Sequence, residues 1–130
     1  MPAPRLRVLI ADDHAAYREG LVRAVAADPG LELAGVAVGG EDAVELAREL
    51  APDVVLLDVR MPGQGGLEIC RALRSGGAHP DMRVVLITAS PGDDFDTRAR
   101  EAGAAAGVGK ETSRADLMRM LRGDVGGGVD

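Results

Sequence analysis

Short apolar runs alternate along this chain with stretches in which apolar residues recur every three or four positions. The runs are Leu6–Ala11, residues 31–38, residues 54–57, Arg83–Thr88 and residues 105–109. Runs of this length without strict alternation predict strands buried on both faces. The last is the weakest signal, because it is built of Ala, Gly and Val. Within the second run only Glu32 is charged, and it is expected to face solvent.

The intervening stretches carry helical spacing. Tyr17, Leu21, Ala24 and Val25 form a stripe over Ala15–Ala27, and Asp28-Pro29-Gly30 stops it. Ala43, Leu46, Ala47 and Leu50 do the same over residues 41–50, and Leu67, Cys70 and Leu73 over residues 67–74. A fourth helix is expected to open at Pro91-Gly92-Asp93-Asp94, run through Phe95 and Ala99, and stop near Gly103. Ser113 is placed to cap a fifth, Arg114–Arg122, with Leu117, Met118 and Leu121 inward. Residues 75–80 read as a turn. Five strand-then-helix units joined by short connections require a parallel sheet covered on both faces, a doubly wound α/β fold.

Composition narrows this picture. The 130 residues suffice for one domain, and 46% hydrophobic with 28% charged residues places the chain among globular proteins rather than disordered ones. Tyr17 and Phe95 are the only aromatics, so Val, Leu, Ile and Ala must fill the core. The formal net charge of -6 argues against direct nucleic acid binding by this segment, which would need a basic patch. No apolar run is long enough to span a membrane, and residues 1–7 lead into no secretory apolar stretch, so a cytoplasmic location is expected. Cys70 is the sole cysteine; it has no partner for a disulfide and is expected in the core.

Polar residues stand where the strands end. Asp12 and Asp13 follow the first, Asp58 ends the third, Thr88 the fourth and Lys110 the fifth. In a parallel sheet these ends share one edge, the edge at which ligands bind. Each residue has an ordinary explanation: Asp13 as a helix cap, Thr88 as a strand residue, Lys110 as a surface lysine. Their joint placement is what points to chemistry. Three carboxylates in one cleft repel, and one takes up a proton unless a cation intervenes. Mg²⁺ suits a site of few carboxylates completed by water and a phosphoryl oxygen. Asp58 would then attack phosphorus in line to give an acyl phosphate. Mg²⁺, the Lys110 charge and the Thr88 hydroxyl would neutralise the equatorial oxygens.

Ala11-Asp12-Asp13-His14, Leu57-Asp58-Val59-Arg60-Met61-Pro62, Leu86-Ile87-Thr88-Ala89, Gly103-Ala104 and Lys110-Glu111 together resemble the receiver (CheY-like) domain of two-component response regulators. The resemblance covers residues 5–122. Tyr17-Arg18-Glu19-Gly20-Leu21 after the acidic pair looks like the NarL/FixJ-type subgroup, whose receiver usually precedes a helix-turn-helix DNA-binding domain. The resemblance implies a flavodoxin-like (βα)5 sheet in order 2-1-3-4-5. It implies Asp58 as phosphoacceptor from a sensor histidine kinase. Asp13 and Asp58 would ligate Mg²⁺ directly, the Arg60 backbone carbonyl would be a third ligand, and Asp12 would act through water. Thr88 and Lys110 would contact the phosphoryl group. Such a domain is not a turnover enzyme, though it assists its own phosphorylation and dephosphorylation. Residues 123–130 read as a flexible Gly-rich tail or truncated linker, with a transcriptional output domain expected outside this segment. The face of the fourth and fifth helices is the candidate surface for a homodimer.

Two positions depart from the family pattern. Where the family usually carries an aromatic that swings inward, three residues before the lysine, this chain has Gly107. Gly109 is also unusual and is expected to loosen the fifth strand. The signal is therefore expected in backbone movement of residues 89–95, around Ser90-Pro91-Gly92. Two alternatives stay open: a degenerate receiver that only binds partners, and an aspartyl-phosphate phosphohydrolase. The second usually wants an aspartate two residues after the nucleophile, where Arg60 stands. The Arg60 side chain reads equally as a gate for water and as a solvated loop arginine. His14 is expected as a solvent-exposed helix-start residue, because hard cations prefer oxygen, and His79 has no partner by spacing. Gly39-Gly40 and Gly65-Gly66 lack the spaced pattern of a phosphate cradle.

Overall fold

Strands β1 (Leu6–Ala11), β2 (Leu31–Ala37), β3 (Val54–Asp58), β4 (Arg83–Thr88) and β5 (Ala106–Gly109) form one sheet in order β2-β1-β3-β4-β5, every pair parallel. Helices α1 (Ala15–Ala27), α2 (Gly40–Leu50), α3 (Gly66–Ser75), α4 (Phe95–Glu101) and α5 (Arg114–Arg122) alternate with them. The structure, a computed structural model, describes residues 4–61, 63, 65–75 and 81–123. Most of the expected 75–80 turn and of the 123–130 tail therefore lies outside the described residues, as does Pro62.

The uninterrupted apolar runs have a simple cause. Successive strand residues point to opposite faces, and both faces are covered. Val8, Ile10, Val54, Leu56, Val85 and Ile87 pack with Leu21 and Val25 of α1 and Leu117, Met118 and Leu121 of α5. Leu9, Ala11, Val55, Leu57, Val84 and Leu86 face α2, α3 and α4, against Ala43, Ala47, Ile69, Cys70, Leu73 and Phe95. Each fully buried Val, Leu or Ile contributes roughly 1.5–3 kcal/mol. This sets a stable frame on which a few buried charges can be carried.

Register brings the strand ends level. Ala11 pairs with Leu57, Leu57 with Leu86, and Leu86 with Gly107. The next rung holds Asp58 beside Ile87, and the one after it Thr88 beside Gly109. Pairing thus runs to the end of β5 despite its two glycines, and the Lys110 N–H continues it to the Thr88 carbonyl at 2.8 Å.

Element boundaries differ from the sequence reading by a residue or two, except in α4. That helix begins at Phe95 rather than at Pro91, because the Phe95 N–H turns back to the Gly92 carbonyl and Asp93-Asp94 form a turn. It ends at Glu101; the Ala102 cap leads into Gly103 at φ +102°, a conformation glycine adopts readily. Ser113 caps α5 as expected, its hydroxyl accepting the Asp116 N–H at 3.1 Å. Glu32 is exposed on the edge strand β2. Among the described residues no helix is long and apolar enough to cross a membrane.

Candidate functional site

Asp12, Asp58 and Thr88 are buried polar residues, at 1%, 2% and 4% exposure, and all lie at the C-terminal edge of the sheet. Asp12 leaves β1 with its N–H on the Ala37 carbonyl, and its Oδ1 accepts the His14 N–H at 2.8 Å. Asp58 closes β3, and its Oδ1 accepts the Arg60 N–H at 2.9 Å. The loop after Asp58 is pinned on two sides: Val59 N–H donates to the Ile87 carbonyl, and Gly66 N–H to the Val59 carbonyl, each at 2.9 Å. Gly66 permits this approach, since a Cβ there would stand 2.6 Å from Val59 Cα. The two aspartates thus enter the pocket with one oxygen fixed by a local backbone donor and the other free to face inward.

The inward oxygens meet Lys110. Its Nζ lies 3.0 Å from Asp58 Oδ2 and 3.1 Å from Asp12 Oδ2. These are ion pairs by distance, but at angles outside the hydrogen-bond range, so both oxygens are buried without a directed donor. Desolvation lowers the pKa of Lys110, and the carboxylates of Asp58 and Asp12 outweigh it, leaving the ammonium above its ordinary 10.5. The ammonium also lies 4.4 Å from the centroid of the Tyr17 ring, with the Arg114 guanidinium 4.9 Å from the same ring. Burial pushes the Tyr17 phenol up, and its hydroxyl finds no partner among the described residues.

Two carboxylates face this one ammonium and Asp13 stands beside them in the same cluster, so negative charge is left over. Asp12, Asp13, His14 and Asp58 each offer a ligand atom, all within 4.8 Å of one another. Surplus charge, two buried oxygens lacking a directed donor and a mainly oxygen donor set fit a hard divalent cation such as Mg²⁺.

Of the residues expected to converge, Asp12, Asp13, Asp58 and Lys110 do so. Thr88 stands on the same edge, but its Oγ1 accepts the Ser90 N–H at 3.3 Å and no hydrogen bond joins it to the carboxylates among the described residues. Arg60 is exposed, and its backbone N–H is engaged by Asp58.

A family model for the response regulator receiver domain matches residues 8–122. The chain belongs to this family. Among curated relatives, the response regulator GacA of Pseudomonas viridiflava is 45% identical over 117 residues, covering 90% of this chain and 54% of that protein. The DNA-binding transcriptional activator DevR/DosR of Mycobacterium tuberculosis is 37% identical over 123 residues, 95% of this chain and 55% of that one. The chain spans about half the length of the curated relatives it matches. Among solved structures, the signal receiver domain of NarL from Mycobacterium tuberculosis superposes with a TM-score of 0.83 at 34% identity, covering 93% of this chain and 99% of that one. The receiver fold with strand order 2-1-3-4-5 is thus established for this chain.

Two residues beside this receiver's pocket were not assigned to it from the sequence. His14 is the exposed helix-start residue expected, yet its Nδ1 lies 3.5 Å from Asp12 Oδ1 and 3.7 Å from oxygens of Asp13 and Asp58. Tyr17 reads as one member of a core stripe, yet its ring lies under Lys110. The available signal was their position in the first turn of α1, directly after the acidic pair. Cys70 is a core residue as expected, its thiol pushed up by burial.

Proposed function

We propose that this receiver domain accepts a phosphoryl group on Asp58 from the phosphohistidine of a sensor histidine kinase, in a Mg²⁺-dependent reaction. The observation that carries the reading is the buried Asp58 carboxylate, level with Asp12 on the sheet edge and 3.0 Å from the Lys110 ammonium. An Asp58 oxygen attacks phosphorus, the phosphorus–nitrogen bond breaks, and the kinase imidazole leaves with the electron pair. Lys110 meets one phosphoryl oxygen as a point charge. The Thr88 hydroxyl, an acceptor toward Ser90 N–H, keeps its own proton to donate to a second. Asp13, Asp58 and the Arg60 carbonyl would hold Mg²⁺, with Asp12 beside them, and such an ion would supply charge neutralisation at the remaining oxygen.

The same groups assist hydrolysis of the acyl phosphate, so the domain is a self-resetting switch rather than a turnover enzyme. Residues 5–122 form the receiver, and 123–130 lead toward an output domain that, by analogy with DevR/DosR, regulates transcription. The analogy with a DNA-binding regulator supports a cytoplasmic location.

Incubation with a small acyl phosphate and Mg²⁺, read by intact mass, tests the reading. One phosphate adduct is expected, absent in Asp58→Ala and absent with a chelator. An adduct that persists in Asp58→Ala, or none at all, overturns it.

A further inference from the structure

We infer that His14 is a fourth protein ligand of this pocket and turns it into a site that prefers a divalent first-row transition ion over Mg²⁺. The inference rests on the reading that the acidic pocket holds a divalent cation.

His14 occupies the N-cap of α1, where Ser, Thr, Asp or Asn would accept a backbone N–H, but its side chain makes no cap bond. The imidazole is turned instead toward the carboxylates. Its Nδ1 lies 3.5 Å from Asp12 Oδ1, 3.7 Å from Asp13 Oδ1 and 3.7 Å from Asp58 Oδ2. Ligands about 2.1 Å from one ion at right angles stand roughly 3 Å apart, so a closing of about 0.7 Å brings the imidazole nitrogen to ligand spacing from Asp13 Oδ1 and Asp58 Oδ2. Asp12 and Asp58 are more than nine-tenths buried, and each keeps an Oδ2 without a directed hydrogen bond.

Lys110 stands in the way and also has somewhere to go. Its Nζ is 3.3 Å from His14 Nδ1, so cation entry requires the ammonium to withdraw. The Tyr17 ring, 4.4 Å from Nζ, offers it an electron-rich face that can hold the ammonium as it withdraws.

Donor chemistry then sets the preference. Three carboxylates alone suit Mg²⁺; an imidazole nitrogen adds little for that ion, and much for Ni²⁺, Co²⁺ or Zn²⁺, whose affinity for nitrogen follows the usual divalent order.

The test is calorimetric titration of the full chain with Ni²⁺ and, separately, Mg²⁺, paired with electron spin-echo spectroscopy of bound Mn²⁺. In His14→Ala, Ni²⁺ affinity is expected to fall about tenfold or more while Mg²⁺ affinity moves by less than roughly twofold. Bound Mn²⁺ is expected to show nitrogen modulation in the parent chain and in His79→Ala, which removes the other imidazole, but not in His14→Ala. An unchanged Ni²⁺-to-Mg²⁺ ratio in His14→Ala, with no nitrogen modulation in the parent, overturns the role of His14 while leaving the acidic pocket standing. Titrations of the parent indistinguishable from those of Asp58→Asn overturn the pocket itself.

Discussion

The ring of Phe95 fills the space that a side chain on Gly107 would need. A Cβ on the glycine would stand 3.0 and 3.1 Å from Phe95 ring carbons and 2.7 Å from Ala99 Cβ. The family's usual aromatic at this place on the fifth strand is missing, and a ring from α4 lies against the strand instead. Replacing Gly107 with Tyr must therefore push Phe95 and α4 outward. A loss of about 1–3 kcal/mol, or more, is expected in urea unfolding. Phe95→Ala introduced into Gly107→Tyr is expected to return part of that loss. A double variant whose loss equals the sum of the two single losses would show that the residues do not share space.

Asp96 makes a second tie between the same elements, its Oδ1 accepting the Gly107 N–H at 2.9 Å. That backbone donor, opposed by partial burial and helped by Arg100, holds the Asp96 carboxyl below its ordinary 3.8. A depressed folded value means the unfolded chain binds the proton more readily in acid. The stabilisation is therefore complete above pH 3.8 and disappears as pH falls through the lower folded value. Asp96→Ala is expected to lose about 0.5–1 kcal/mol at pH 7, the low part of the hydrogen-bond range because the carboxylate is half exposed to screening solvent. Urea midpoints of the two proteins should converge as pH falls below 3.8 and through the lower folded value. A gap of constant size across that interval would count against the tie.

Lys110→Met removes the positive charge that faces Asp12 and Asp58. Stability at pH 7 is expected to drop by about 1–3 kcal/mol, below the figure for a sealed ion pair because the amine is partly exposed. The folded pKa of Lys110 lies above 10.5, so the contribution is intact at neutral pH and is lost only as pH rises through that folded value. A divalent cation should partly replace the ammonium, so Mg²⁺ is expected to raise Tm more in Lys110→Met than in the parent chain. Thermal unfolding followed by circular dichroism with and without Mg²⁺ measures both effects. An equal Mg²⁺ response in the two proteins would show that cation and ammonium do not share the pocket.

The β/α alternation was readable because burial on both faces writes a periodic signal into each strand. Val8 and Ile10 face one layer, Leu9 and Ala11 the other, and no polar residue is tolerated between them. Asp12, Asp58 and Lys110 were readable for the converse reason: charge directly after such a run has only the sheet edge to occupy. What stayed hidden are relations across elements that leave no periodic trace. His14 follows Asp13 in the chain, but that its ring turns toward Asp58 depends on the path of α1. Phe95 and Gly107 are a complementary pair whose members look unremarkable apart; Gly107 alone reads as a deletion of function. Thr88 was expected toward the phosphoryl site; the bond its oxygen accepts from Ser90 N–H is a local turn that leaves no periodic trace and keeps the hydroxyl proton available.

The chain contains no tryptophan, and its one tyrosine is the ring that supports Lys110. Ultraviolet emission excited in the tyrosine band, beyond the absorption of Phe95, therefore originates at a single ring, 4.4 Å from the ammonium. Any event that draws that amine toward or away from the carboxylates alters the field on this ring. The molecule carries its own optical gauge of pocket occupancy, with no dye to attach.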